Sequence, residues 1–369
     1  MNDNLKILFL SRASLFNVRG GDTVQVTKTA EALQRSGVKV DIRLCNEKKI
    51  DYSVYDLIHF FNIRHPADML FHIERSELPY VISTIYVNYA KPPDRKSSGI
   101  KDGILNLFGS NAQEYIKTMS KSIFNGEKIV SGNYVWMGHK RSVRRILSHA
   151  AMLLPNSESE YRRLLTAYQV EKKYSVIPNG ADTSLFNYNS EELMNKDKNM
   201  VLCVARIELI KNQLSLIKAL NGTDFQLYLI GDPAPNHMRY YNECKKIAGK
   251  NIHFLSAMKQ DELVRYYRKA KVHVLPSWFE TTGLSSLEAL YCGCNIVVTN
   301  YGDTSDYYDP ATCFYCDPGS GDSIREAIVK AAETETKTAY IKEVSARNNW
   351  EQAAEKTLMA YREAMGNRQ

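Results

Sequence analysis

The chain has 369 residues, of which 44% are hydrophobic and 24% charged, which is long for one α/β domain and ample for two that each bury a core. No uninterrupted apolar run approaches the roughly 18 residues that a membrane span needs. The start, MNDNLKILFLSRAS, lacks the apolar length and cleavage site of a secretion signal, so the expected location is cytoplasmic. The seven cysteines, Cys45, Cys203, Cys244, Cys292, Cys294, Cys313 and Cys316, form an odd set and are expected to be reduced thiols rather than a disulfide framework. Cys292-x-Cys294 and Cys313-x-x-Cys316 have metal-like spacing but fall in apolar, strand-like runs without knuckle glycines, which argues against zinc.

In chain order, LKILFLS, DTVQVTKTAEALQRSG, VKVDIRL, DLIHFF, PADMLFHIERS and PYVISTIY alternate β-branched runs with amphipathic stretches. Such alternation predicts βαβ units around a parallel sheet. His59, near the end of DLIHFF, is expected to be a structural histidine. Residues 88–150 break the rhythm with Pro92-Pro93, several Ser and Gly, and predicted helices near 109–124 and 133–149, and are read as an insertion on the first domain.

Residues 91–145 hold eleven Lys or Arg against four acids, an excess equal to the +7 of the whole chain. A solvated basic face is the bland reading of that segment; an anionic acceptor, an anionic membrane surface or nucleic acid are the functional ones. Phe108, Tyr115, Phe124, Tyr134 and Trp136 lie among the basic residues and favour the inner face of a membrane, with peripheral attachment, over nucleic acid. The pattern resumes with AAMLLPNS, a helix opened by the capping-box spacing of Ser157 and Glu160, and an expected strand KYSVIP.

A polar stretch from PNGADTSLF to NKDKN places a domain boundary near 178–198. A second α/β series follows, from MVLCVAR to NIVVTN, and the tail WEQAAEKTLMAYREAM reads as an amphipathic helix. Each half opens with an apolar strand running into a phosphate-friendly turn, LFLSRASLFNVRGGD and LCVARIELIKNQ, so two facing Rossmann-like domains with a cleft are expected.

The stretch SWFETTGLSSLEALYCG carries the chemistry. Strand KVHVLP ends at Pro276 and a helix begins near Gly283, placing the intervening loop at the carboxyl end of a parallel strand, where ligands bind in open α/β sheets. Backbone donors of Gly283, Leu284 and Ser285 at the helix start favour a phosphate. Glu280 and Glu288, eight positions apart, would be repelled by that phosphate and suit neutral diols on either side of it. A ligand with a central diphosphate and a polyol at each end is a nucleotide sugar. Arg206 and Lys211, after the first strand of the same half, are the candidate cations.

The chain resembles glycosyltransferase family 4, of the GT-B fold, in the Gly20-Gly21 pair, VIPNGADTSLF, VARIELIKNQ, the E-x7-E segment and the closing helix. The resemblance implies two Rossmann-like α/β domains: residues 1–180 for the acceptor, with the basic insertion at about 88–150, and 181–348 for the donor, with 349–369 packing back on the first domain. It implies that Arg206 and Lys211 bind the donor diphosphate, Glu288 the ribose and Glu280 the sugar, with Ala257 and Met258 beside the base and Gly20-Gly21 approaching the diphosphate. It further implies retention at the anomeric carbon without a metal or other cofactor, and no D-x-D motif occurs. The implied acceptor is a saccharide or lipid-linked saccharide, in surface polysaccharide biosynthesis. Two departures stand out: Tyr86 where many members have histidine, and Glu-Thr-Thr-Gly-Leu where Glu-Gly-Phe-Gly is commoner, so that Thr281 and Thr282 are candidate sugar contacts. A nucleotide-sugar epimerase and a non-catalytic nucleotide-sugar-binding protein are the rival readings.

Overall fold

The computed structural model describes residues 5–18, 20–87 and 132–366, which fall into two compact units. One holds the described residues up to Pro178 together with Trp350–Gly366, the other Asn179–Asn349.

The first unit is built on five parallel strands, β1 (Lys6–Ser11), β2 (Lys39–Leu44), β3 (Leu57–Phe61), β4 (Tyr80–Ser83) and β5 (Met152–Leu153), in the order β2-β1-β3-β4-β5. From Ile7 onward β1 is buried, and β3 is buried throughout, which is why both read as continuous apolar runs rather than alternating ones. The edge strand β2 keeps Lys39 and Arg43 in solvent. The Trp350–Gly366 helix belongs here, packed on the Gly21–Arg35 helix and on β4. Its Tyr361 hydroxyl lies 2.6 Å from His59 Nδ1, and His59 Nε2 lies 2.9 Å from Ser83 Oγ. Burial pushes the His59 pKa down to about 3, so the imidazole is a neutral core group, as its position in DLIHFF suggests.

Two expectations need correction. KYSVIP forms no strand: Tyr174 makes an isolated bridge to Leu153, and the pairing stops after Ile177 N–H donates to Pro155 O at 2.9 Å. Pro155 and Pro178 withhold the donors that a ladder requires. The Ser157 capping box is half made, with Ser157 Oγ accepting from Glu160 N–H at 3.0 Å. The Glu160 carboxylate instead takes the N–H groups of Asn156 (2.9 Å) and Tyr86 (2.8 Å) and the Thr84 hydroxyl. The helix expected near 133–149 is Gly132–His149, broken at Gly138, whose φ is 72°. The one expected near 109–124, and the basic segment from 91 to 131, lie outside the described residues.

The second unit has six parallel strands, β6 (Asp197–Val204), β7 (Gln226–Ile230), β8 (Ile252–Leu255), β9 (Ala270–Leu275), β10 (Asn295–Thr299) and β11 (Phe314–Cys316), in the order β11-β10-β9-β6-β7-β8. The chain winds outward from β6 to β8, then restarts at β9 on the other side of β6. That is the dinucleotide-binding strand order, with its ligand crevice at the carboxyl ends of β6 and β9. Every residue of β9 and β10 is buried. Gly180 permits Asn179–Ala181 to run beside Asn348 and Asn349: Ala181 N–H donates to Asn348 O at 3.1 Å, and a Cβ at Gly180 would lie 2.4 Å from the Asn349 carbonyl carbon.

Candidate functional site

The carboxyl ends of β6 and β9 carry the loops that hold Lys211 and Glu280. After β6 the chain turns through Leu209–Lys211 and reaches Asn212 in the left-handed region, φ 57°. Asn212 Nδ2 donates to Pro276 O (3.1 Å) and Pro318 O (2.8 Å), and Trp278 N–H donates to Ile210 O (2.8 Å), tying the Lys211 turn to the loop that follows β9. Lys211 Nζ thereby meets Glu280 Oε2 at 2.6 Å, and Ser277 Oγ donates to the same oxygen at 3.0 Å.

The main chain of Glu280 is fixed as firmly as its carboxylate. Its N–H donates to Tyr301 O (3.1 Å) and its carbonyl accepts from Asp303 N–H (2.8 Å). Between them Gly302, φ 108°, approaches so closely that a Cβ would lie 2.0 Å from Glu280 O. Glu280 is 6% exposed, with Oε2 held and Oε1 taking no protein hydrogen bond among the described residues. A buried carboxylate with one bound and one open oxygen can accept a hydroxyl from a polyol without reorienting.

Three residues on, Gly283 adopts φ 64° and caps the Leu284–Tyr291 helix, so the first helical N–H groups, of Leu284 and Ser285, have no intrahelical acceptor and are available to an anion. The buried Tyr308 hydroxyl reaches the carbonyls of Thr282 (3.0 Å) and Gly283 (3.1 Å) and holds this turn in place. Thr282 itself is 1% exposed, and its hydroxyl accepts from Asn179 Nδ2 at 3.0 Å. It faces the protein interior, whereas Thr281 and Leu284 are partly exposed.

Glu288 follows one turn into the helix. Gln260 Nε2 donates to its Oε1 (3.2 Å) and the Tyr267 hydroxyl to its Oε2 (3.1 Å). Burial raises its pKa to about 7, against the opposing pull of these two hydrogen bonds. Ala257 is exposed and its N–H donates to Asp232 Oδ1 at 3.1 Å, while Met258 is partly buried against the core. Arg206 is not drawn to the glutamates: it is 43% exposed and pairs with Glu208 at 3.1 Å.

Gly20, Gly21 and Tyr86 belong to the first unit. Gly20 opens the Gly21–Arg35 helix, with its N–H on Thr23 Oγ1 at 3.1 Å, and beside this turn Asp22 is neutralised by Arg12 at 2.6 Å. Tyr86 follows Ile85, which has φ 43°. Its N–H is held by Glu160 and its carbonyl accepts from Arg163 Nη2 at 3.2 Å, with the ring edge-on to Tyr168 at 5.7 Å. Burial raises the phenol pKa, opposed by the charges of Arg163 and Arg64.

Sequence reasoning passed over Ser277, Gly302, Asn212, Tyr308, Gln260 and Tyr267, and gave Glu160 only a capping role. Gly302 had a readable signal, a glycine shortly after an apolar strand in NIVVTNYGD, and Ser277 stands three residues before Glu280; the others act through partners distant in sequence. Among the described residues no group of three or more His, Cys, Asp or Glu side chains is placed to hold a metal ion, and all seven cysteines are free and buried.

Solved structures share this architecture. The sucrose-phosphate synthase of Thermosynechococcus elongatus superposes with a TM-score of 0.73 at 18% identity, over 98% of this chain and 100% of that one. Anabaena HepE, solved in complex with UDP and glucose, gives 0.69 at 16% identity over 97% and 99%. The fold is GT-B, two parallel-sheet α/β units of Rossmann type. Residues 187–357 match the family profile of the group 1 glycosyl transferases. A D-inositol 3-phosphate glycosyltransferase of Acidothermus cellulolyticus is 26% identical over 263 residues, 60% of this chain but only 55% of its own length. Over residues 187–357 the chain is thus similar to the group 1 glycosyl transferases, and that segment contains Arg206, Lys211, Glu280 and Glu288.

Proposed function

We propose that the protein moves a sugar, with retention at the anomeric carbon, from a nucleotide-diphosphate sugar to a saccharide or lipid-linked saccharide in surface polysaccharide biosynthesis. The observation that carries the proposal is Glu280, buried and bound by Lys211 and Ser277, with one oxygen open, beside a helix start that leads to Glu288. Glu280 Oε1 orients a donor-sugar hydroxyl, and Glu288 accepts the ribose hydroxyls. As the anomeric C–O bond breaks, its electron pair passes to the departing diphosphate. Lys211, Arg206 and the Leu284 and Ser285 amides stabilise the developing charge, and one preorganised donor of this kind contributes about 3 to 4 kcal/mol. The acceptor oxygen forms the new bond on the same face, and its proton goes to a phosphate oxygen.

In this proposal those groups supply the positive charge that a divalent ion supplies elsewhere, and no metal has a role. The Anabaena structure with UDP and glucose supports a UDP-sugar as the first donor to try. Tyr86 takes the place of the usual histidine, its phenol serving as a donor to sugar or phosphate. The competing reading, a non-catalytic nucleotide-sugar binder, is separated by turnover. We further propose that the Gly132–His149 helix rests on an anionic membrane surface and brings the protein to a lipid-linked acceptor. It exposes Lys140, Arg141, Arg144 and Arg145 after the Gly138 break and Trp136, 88% exposed, before it. Among the described residues no helix is long and apolar enough to cross a membrane.

Calorimetric titration with UDP, GDP and ADP tests the donor site. One nucleotide should bind selectively, equally well with a chelator present, and Glu288→Ala should weaken it about tenfold or more, the loss expected for hydrogen bonds to a charged group. Absence of binding by any of them at millimolar concentration would overturn the assignment.

A further inference from the structure

The second unit has another charged cavity, at the edge of the sheet opposite the glutamate loop. It has a volume of about 430 Å³ and lies where β6 and β9 begin side by side, Asp197 opposite Ala270. Lys196, Lys198 and Lys271 all line it. Lys196 and Lys271 are each only 8% exposed, a degree of burial that lysine tolerates only when its charge is compensated.

Lys196 has a structural explanation. Its Nζ donates to the carbonyls of Tyr267 (2.7 Å), Arg268 (3.0 Å) and Ala270 (2.9 Å), so all three N–H bonds are used to close the end of the Gln260–Lys269 helix. Lys271 has no equivalent. Its Nζ donates to Thr336 Oγ1 at 3.0 Å, one neutral oxygen for three N–H bonds. None of the three lysines forms an ion pair among the described residues; Glu333 and Glu335 line the same cavity but stay exposed at its rim. Burial, then the charges of Lys196 and Lys198, lower the pKa of Lys271, and the charge of Glu335 only partly opposes them. The cavity is far larger than one anion, and Tyr188 and the 84% exposed Met194 give it an apolar wall.

We infer that this cavity binds the phosphate group of a small molecule, with Lys271 and Lys198 as its recognition groups. A phosphate there would take the two unused N–H bonds of Lys271 and the free charge of Lys198, while Lys196 remains on its carbonyls and adds a fixed positive field. The site is separate from the donor residues and does not depend on the proposed transferase reaction.

Titration calorimetry of the full chain tests this, with inorganic phosphate and with phenyl phosphate, each in the absence and presence of excess UDP. One equivalent of phosphate probe should bind whether or not UDP is present. Binding should weaken about tenfold or more in Lys198→Ala and in Lys271→Met, as for loss of a charge-assisted hydrogen bond, and remain unchanged in Lys218→Ala, an exposed lysine elsewhere in the same unit. Tighter binding of phenyl phosphate identifies a phosphomonoester as the ligand, and equal binding identifies free phosphate. If Lys271→Met does not fold, the exposed Lys198 decides. Failure of both probes to bind, or unchanged binding in Lys198→Ala, overturns the inference. Because the lysine variants are read without UDP as well, failure of UDP to bind counts against the donor site alone.

Discussion

Glu288 is asked to be a carboxylate in a place that favours the acid. Burial raises its pKa to about 7 while Tyr267 and Gln260 hold both its oxygens, and accepting a pair of ribose hydroxyls requires the ionised form. Nucleotide affinity should therefore climb as pH rises from about 6 to 8 and flatten above that, and Glu288→Gln should bind weakly with no such climb. The effect on stability has the opposite sign. A folded pKa above the unfolded one contributes stability below the ordinary carboxylate value, and that contribution disappears as pH rises through about 7. At about pH 8 Glu288→Gln should thus unfold at a higher temperature than the wild type while binding nucleotide less well. Thermal unfolding and calorimetry at the two pH values check both halves, and a variant that binds as tightly as the wild type would remove Glu288 from the site.

Between residue and fold stand the loops that clamp Glu280, and here the glycine after β10 is the sensitive point. Gly302 has φ 108°, and a methyl group there would lie 2.0 Å from Glu280 O; Gly222 has φ 71° with nothing within 4 Å. Alanine at either position adds backbone strain, but only at Gly302 does it push the glutamate loop. Gly302→Ala should destabilise by about 1 to 3 kcal/mol and lower kcat about tenfold or more. Glu288 lies on a separate helix, so nucleotide affinity should change little. Gly222→Ala should lose stability without losing turnover, and equal kinetic effects in the two variants would show that the contact is irrelevant. The same loops mark the limit of what the sequence discloses. Apolar patterning reveals β1, β3, β9 and β10 because burial on both faces leaves mostly apolar runs, broken only by His59 in β3 and by Lys271 and His273 in β9, and the Gly283 break between two glutamates reveals the anion-binding turn. Asn212 and Tyr308 were invisible because each works by a hydrogen bond to a segment brought close only by folding. KYSVIP misled for a related reason: a strand needs a partner with free donors, and Pro155 supplies none.

At the scale of the molecule the chain carries +7 formal charge, and the Gly132–His149 helix shows how part of it is displayed. Tyr134, Val143, Ile146 and Leu147 are buried, while Lys140, Arg141, Arg144 and Arg145 face solvent and form no ion pairs among the described residues. Structure alone requires neither the four unpaired cations nor, across the Gly138 break, a tryptophan that is 88% exposed; an anionic lipid surface would use both, the indole at the headgroup level and the cations in the negative surface potential. Each basic residue near such a surface contributes about 1 kcal/mol, so replacing all four with alanine should abolish most of the binding to anionic vesicles at low salt. Raising the salt should do the same by screening. Fluorescence gives a local readout. Of the three tryptophans, Trp350 is buried and Trp278 partly so, which leaves Trp136 to report contact. Anionic vesicles should shift its emission to the blue, and Trp136→Phe should lose the shift while the four cations still hold the protein to the vesicle. Neutral vesicles that bind equally well, or anionic vesicles that leave the emission unchanged, would turn this face back into ordinary solvated surface.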